Sequence, residues 1–155
     1  MSHYNIGVII DPKTENPDEE VDRLMESVNE TDEDCREPHW DWWVIGGRWD
    51  GDIQGKRRED GQGGFNFGDE HHLIEFNMVR VKDLLISKEA IPKQVMARLT
   101  LKPLGWIPYA IVTPEGKWHE KESGWGEPAP EWEAKVMELY SAYSEYNIVS
   151  VDMHD

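Results

Sequence analysis

HYNIGVII, residues 3–10, is the stretch from which the fold of this chain can be built. Its even positions carry large apolar side chains, Tyr4, Ile6, Val8 and Ile10. An apolar side chain at every second position is typical of a β-strand with one buried face, and Asp11 with Pro12 would stop that strand. We therefore predict a strand over residues 3–10 whose even-numbered side chains face the core.

The last stretch of the chain, residues 148–154, has the same period. Its odd positions carry Val149, Val151 and Met153, and its even positions carry Ser150, Asp152 and His154. The alternation predicts a second strand with one apolar face.

Two segments have the period of an amphipathic helix instead. After Pro17, apolar side chains occur at i, i+3, i+4 and i+7, namely Val21, Leu24, Met25 and Val28. After Pro128 and Pro130, an apolar stripe contains Trp132, Val136, Leu139, Tyr140 and Tyr143. Proline favours the first turn of a helix, so a helix is predicted after each proline.

The remaining elements are shorter. Strands are predicted at residues 40–46 and near 76–81, with a hairpin at 109–113 and 117–120 around a turn at 114–116. Glycine-rich residues 51–68 predict a flexible loop, and an irregular or helical section is predicted between the strand near 76–81 and residue 101. The element order predicts one α+β domain over residues 1–155, an elaborated ferredoxin-like antiparallel sheet with its helices packed on one face.

Length and composition agree with a single core. A chain of 155 residues can bury roughly 70% of its unfolded surface, and eight Trp supply much of the apolar area. The one cysteine, Cys35, excludes an internal disulfide. We expect a cytoplasmic protein, because no apolar run of membrane-spanning length and no leader pattern occurs.

The predicted topology brings the two chain ends together. In a ferredoxin-like sheet the last strand runs antiparallel beside the first, and the second strand of the hairpin lies on the first strand's other side. This predicts a cluster of four polar side chains, His3, His119, Asp152 and His154. Imidazoles with a carboxylate suit zinc or a similar divalent metal, and they suit general acid–base chemistry equally well. His71 and His72 follow the flexible loop and are left outside the cluster.

Aromatic residues and glycines suggest a ligand-binding surface. The candidate positions are Trp42, Gly46, Gly47, Arg48, Trp49, Trp118, His119 and Trp125. An indole face stacks on a planar base, glycines admit a phosphate close to the backbone, and Arg48 can hold an anion. The alternative interpretation is structural: the tryptophans alternate between core and surface, the glycines form a bulge, and Arg48 pairs with Asp41 or Asp50.

Charge narrows the choice of partners. The formal net charge is −16, which disfavours direct binding to nucleic acid and to anionic membranes. Residues 11–37 contain twelve acids and three bases. Such a segment is either a solvated surface or a mimic of DNA phosphates that occupies the basic groove of a host protein.

Four segments carry a resemblance to a known family. MSHYNIGVII, WDWWVIGGRWDG (residues 40–51), PYAIVTPEGKWHEKESGWG and VSVDMHD resemble a widespread family of small uncharacterised proteins encoded by bacteriophages. Its members typically read MSHF, W-x-W-x-x-G-G-R-W, P-x-G-x-W-H-E-K-G with a following G-W, and V-D-x-H. The recurring positions correspond here to His3, Trp42, Gly46, Gly47, Arg48, Trp49, Trp118, His119, Glu120, Trp125, Asp152 and His154. Ser123 departs from the family, which has a longer glycine-rich run there.

The family has no assigned function, so the resemblance implies only a phage origin and these positions. Small phage proteins of this kind often counter host immunity. The first hypothesis is therefore an accessory protein that binds a nucleotide-like ligand, or a host defence enzyme, through a Trp/Arg/His pocket. The second is a hydrolase of phosphoesters or nucleotides, metal-dependent or based on His and Asp, with His119, Glu120 and Arg48 as catalytic candidates. The third is the acidic DNA-mimic decoy, and the sequence leaves open whether the protein is an enzyme.

Overall fold

The computed structural model describes residues 3–30, 40–54, 73–84, 106–121 and 130–154. The strands in these ranges are β1 (His3–Ile10), β2 (Trp42–Ile45), β3 (Met78–Arg80), β4 (Ala110–Val112), β5 (Trp118–Glu120) and β6 (Asn147–His154). The helices are α1 (Pro17–Glu30) and α2 (Pro130–Ala142). The predicted α+β class is confirmed, as are the positions of both helices and of the two long strands.

The described strands form one six-stranded, mostly antiparallel sheet in the order β2-β6-β1-β4-β5. The first and last strands pair antiparallel along their whole lengths, with His3 opposite His154 and Ile10 opposite Asn147. The other edge of β6 carries two strands in succession, β2 and β3. The predicted meeting of the two chain ends is therefore confirmed.

The hairpin docks on β1 in a different way from the prediction. Its first strand, β4, lies parallel to β1, and its second strand, β5, lies outside β4. The burial of the two strands accounts for this order. All three residues of β4 are fully buried, as a strand between two neighbours requires, whereas Trp118 and His119 are half-buried and Glu120 is exposed.

The two helices pack on opposite faces of the sheet, so the prediction that they share one face is wrong. The apolar stripe of α1 packs with the even-numbered residues of β1, including Ile6. Residues of α2, among them Trp132 and Val136, pack with Ile9 on the other face. The face of β1 that carries its odd-numbered side chains is apolar at Ile9. This second apolar surface has to be buried as well, and α2 packs on it.

Several predictions fall on residues outside the described ranges. These are most of the glycine-rich loop, the section before residue 101, Cys35, His71, His72 and Trp125. The beginning of the loop is described, and Asp52–Gln54 form a 3-10 turn there. Among the residues that the structure describes, no helix is long and apolar enough to cross a membrane.

Candidate functional site

Polar side chains occupy the end of the odd face of β1 that lies away from Ile9. His3 pairs with His154 on β6, and two residues further along β1, Asn5 pairs with Asp152. Trp42 of β2 lies on the far side of His154 in the same register. We call His3, Trp42, Arg48, Asp152 and His154 the chain-end site.

The Asp152 carboxylate is the buried centre of this site. Its side chain is only 3% exposed. One oxygen, Oδ1, lies 2.8 Å from His3 Nδ1, and the other, Oδ2, accepts the Arg48 backbone N–H at 3.0 Å. A buried carboxylate is costly unless its oxygens are hydrogen-bonded, and here both oxygens have a partner.

The paired glycines bring the backbone against Asp152. Gly47 has a φ of +53°, and a Cβ at this position would lie 2.4 Å from Asp152 Oδ2. The next residue, Arg48, can donate its N–H to the carboxylate only because position 47 has no side chain. The glycine-rich motif and the chain ends are therefore in direct contact, through the bond from the Arg48 N–H to Asp152.

Asn77 is a structural residue that the sequence reasoning missed. Its fully buried amide donates to Asp50 Oδ1 at 2.8 Å and to the Leu73 carbonyl at 2.9 Å, and it accepts the Gly51 N–H at 3.0 Å. These bonds hold the residues between the two 3-10 turns, Gly47–Trp49 and Asp52–Gln54, against the segment that precedes β3. The only sequence signal was a polar residue near the start of the segment predicted as a strand near 76–81, and such a residue is equally typical of a strand end.

Three aromatic rings are in contact beside the carboxylate. The rings of Trp42 and His154 are stacked, with centroids 5.1 Å apart and an interplanar angle of 7°. His3 meets both of them edge-on, at 5.4 Å from Trp42 and 5.2 Å from His154. The two imidazoles are thus held at a defined spacing, and the Trp42 indole contacts both of them.

His154 faces a second carboxylate. Its Nδ1 lies 3.5 Å from Asp41 Oδ2, an ion-pair distance, but it is buried and forms no hydrogen bond with the described residues. The side chains of His3 and His154 are 14% and 11% exposed, whereas that of Asp41 is 65% exposed. The site thus holds two imidazoles, each beside a carboxylate, and part of each ring remains at the surface.

No protein-family model, curated protein or solved structure matches this chain. The resemblance to the phage proteins therefore rests on the sequence motifs.

His119 does not belong to the chain-end site, so the predicted cluster of four residues is wrong. It pairs with Ile111 on β4, and Ile111 pairs with Gly7 on β1. His119 is therefore two strands away from β1, about 10 Å across the sheet, and about 13 Å along the strands from His3. Partial burial lowers the pKa of His119, and Lys135 on α2 and Lys117 lower it further.

The other hairpin residues also lie away from the site. Trp118 packs against the core on the α1 face, and Glu120 accepts a hydrogen bond from the Tyr109 hydroxyl at 3.0 Å. Among the described residues, no group of three or more His, Cys, Asp or Glu side chains is arranged to hold a metal ion. Of the four predicted zinc ligands, three lie together: His3, Asp152 and His154. His3 is hydrogen-bonded to Asp152, and the His154 ring contacts His3 and Trp42.

The tryptophans of residues 40–51 have different surroundings: two pack in the core, one contacts the chain-end site, and one lies in the turn after β2. Trp40 donates its Nε1–H to the Met25 carbonyl of α1 at 2.9 Å and meets Trp43 edge-on, and both pack against the α1 core. Trp42 points to the chain-end site, and the Trp49 N–H closes the turn on the Gly46 carbonyl. The predicted alternation between core and surface applies to the strand, since Trp43 packs in the core and Trp42 contacts His154.

Proposed function

We propose that this protein binds a nucleotide-like, phosphate-bearing ligand at the chain-end site. The observation that carries the proposal is the contact of three rings, those of His3, Trp42 and His154, beside the turn that Asp152 holds through the Arg48 N–H. Aromatic faces, imidazole nitrogens and an exposed arginine thus occur together at one end of the sheet. A nucleotide needs this combination, because it presents a planar base and an anion together.

The charge of the protein favours a small ligand over a polymer. A net charge of −16 repels an extended phosphate backbone, but one phosphate group can be held by a local arginine and imidazoles. Arg48 is exposed, and its backbone N–H bonds to Asp152 in the site. A guanidinium carries paired donors whose geometry matches phosphate oxygens.

The biological setting follows from the phage resemblance. We propose that the protein acts in the host cytoplasm and antagonises a defence system by sequestering a nucleotide-like signal or by blocking a defence enzyme. The support is the set of shared motifs, several of which fall on the chain-end site. In α1 the acidic segment has the features of a solvated surface, which is the alternative to the acidic decoy. Four acids of α1 are exposed, as a solvated helix face requires: Asp18, Glu19, Asp22 and Glu26.

Calorimetry with AMP, ATP, cyclic AMP and cyclic di-AMP tests this function. At least one of these probes should bind the wild-type protein and raise its melting temperature, since a ligand of the native state stabilises it. Arg48→Ala should weaken that binding about tenfold or more, because charge-assisted hydrogen bonds to a phosphate are lost. Arg23→Ala, a change of an exposed arginine on α1, is the matched control and should bind as the wild type does. Failure of all four probes to bind, or equal binding by Arg48→Ala, would contradict the proposal.

A further inference from the structure

We infer that the chain-end site also cleaves 3′,5′-phosphodiester bonds that lie next to a free 2′-hydroxyl, with His3 as general base and His154 as general acid. The inference rests on the proposed binding of a nucleotide-like ligand at this site. It adds a reaction, a substrate class and a division of roles between two histidines that are in ring contact.

The hydrogen bond to Asp152 prepares His3 to act as a base. The carboxylate oxygen accepts at 2.8 Å, so Nδ1 carries the hydrogen and, in the neutral ring, the lone pair lies on Nε2. The carboxylate cannot turn away, because its second oxygen is held by the Arg48 N–H at 3.0 Å. Asp152 therefore fixes both the tautomer and the orientation of the imidazole, which is what a general base requires.

His154 has the surroundings of a partner acid. In its protonated form the ring carries a hydrogen on each nitrogen, so Nδ1 faces the Asp41 carboxylate at 3.5 Å while Nε2 has a proton to give. Stacking on Trp42 at 5.1 Å keeps the ring in one plane. The centroids of the two imidazoles are 5.2 Å apart, so both can reach the oxygens of one phosphate group.

The substrate class follows from what two imidazoles supply. One imidazole can take a proton and the other can give one. Such a pair suits a substrate that carries its own nucleophile close to the phosphorus. An intramolecular hydroxyl has an effective concentration on the order of 10⁵–10⁸ M, which a 2′-hydroxyl provides and a deoxyribose does not.

The proposed step balances without a further reactant. His3 Nε2 takes the proton of the 2′-hydroxyl as its oxygen bonds to phosphorus, and the bond between phosphorus and the 5′-oxygen breaks. The leaving 5′-oxygen takes the proton from His154 Nε2. The products are a 2′,3′-cyclic phosphate and a free 5′-hydroxyl, and the arginine at position 48 stabilises the charge on the phosphate oxygens.

The test uses ApA, CpA, GpA, UpA, cyclic di-AMP and cyclic di-GMP as probes, with the 2′-deoxy counterpart of each. Chromatography with mass spectrometry should find a 2′,3′-cyclic phosphate from at least one ribonucleotide, with EDTA present, and none from its deoxy counterpart. Absence of this product from all six probes would overturn the inference. Cleavage of the deoxy compound at a similar rate would also overturn it, because the nucleophile would then be external.

Matched variants assign the roles. His3→Asn and His154→Asn keep a side-chain donor near each carboxylate, and each should slow product formation about 100-fold or more. His119→Asn removes a histidine two strands from β1 and should cleave at the wild-type rate. Wild-type rates in either site variant would contradict the assignment, and circular dichroism checks that the variants remain folded.

Binding of the uncleavable deoxy probes separates the two proposals. Calorimetry on the same preparations should show that His3→Asn and His154→Asn bind these probes more weakly than the wild type, because each variant loses one ring, but still measurably, because Trp42 and Arg48 remain. Binding without cleavage by the wild type would contradict the inference alone. Absence of both binding and cleavage would contradict the proposed function as well.

Discussion

At position 47 the backbone lies so close to Asp152 that no other amino acid fits without movement. A Cβ there would lie 2.4 Å from both Cβ and Oδ2 of Asp152, and the φ of +53° is itself unfavourable for any residue with a side chain. The carboxylate that the glycine admits is the one that orients His3. Through Asp152, Gly47 thus determines the geometry of an imidazole that we propose contacts the ligand.

Gly47→Ala should therefore cost about 2 kcal/mol or more of unfolding free energy and displace Asp152 from His3. Gly116→Ala is the matched control. Its φ is +82°, but its Cβ would meet only the end of the Ser27 side chain, at 2.9 Å. Urea unfolding measures the cost, and the NMR signals of the His3 ring report the displacement. Equal costs for the two variants with an unchanged His3 signal would contradict the prediction.

Among the elements, the β4–β5 hairpin connects the two helical layers. The turn after β4 meets Ser27 of α1 through Gly116, and Glu115 accepts a hydrogen bond from the Tyr143 hydroxyl at 2.7 Å, just after α2. Burial and this bond raise the pKa of Tyr143 to about 12, and the same bond lowers the pKa of Glu115. The hairpin is thereby tied to elements on both faces of the sheet.

The Tyr143–Glu115 bond predicts a pH-dependent contribution to stability. Because the pKa of Glu115 is lowered on folding, its stabilising effect is complete above the ordinary value of 4.5 and is lost as pH falls through the lower folded value. Tyr143→Phe should lower the unfolding free energy by about 0.5–1 kcal/mol at neutral pH, and by less in acid. Urea titrations at several pH values measure this. The loss should also vanish in a Glu115→Ala background, and an equal loss at every pH would refute the assignment.

For the whole molecule, the dominant electrostatic feature is self-repulsion. The formal net charge is −16, and α1 exposes acids that include Asp22 and Glu26, one helical turn apart. Like charges at this spacing destabilise a helix, whereas acids in the first turn, such as Asp18 and Glu19, are favourable there. Repulsion between these acids therefore lowers the free energy of unfolding by an amount that depends on the ionic strength.

Added salt should therefore stabilise the fold. Raising ionic strength from about 0.01 M to about 0.15 M shortens the Debye length from about 30 Å to about 8 Å, which screens the repulsion. Glu26→Lys changes the net charge from −16 to −14, since one acid is lost and one base gained. It should raise the unfolding free energy by roughly 0.3–0.5 kcal/mol at low salt and reduce the salt dependence. A urea midpoint that does not change with salt would contradict this prediction.

Much of the local structure could be predicted from the sequence by itself. Strands β1 and β6 and helices α1 and α2 follow from apolar periods of 2 and 3.6 residues, because these periods are set by the geometry of each element. The contact of His3 with Asp152 and His154 also followed, since β1 and β6 are long and their faces are unambiguous.

Only the tertiary structure decided which strand of the hairpin joins β1, on which faces the helices pack, and hence where His119 lies. These features depend on how completely residues far away in the chain bury each strand. The apolar period of a short strand does not indicate that burial. The roles of Gly47 and Asn77 were likewise hidden, because each acts through a close approach to a residue distant in sequence. HYNIGVII thus specified a strand and its two faces, but the neighbours that cover those faces were chosen by long-range packing.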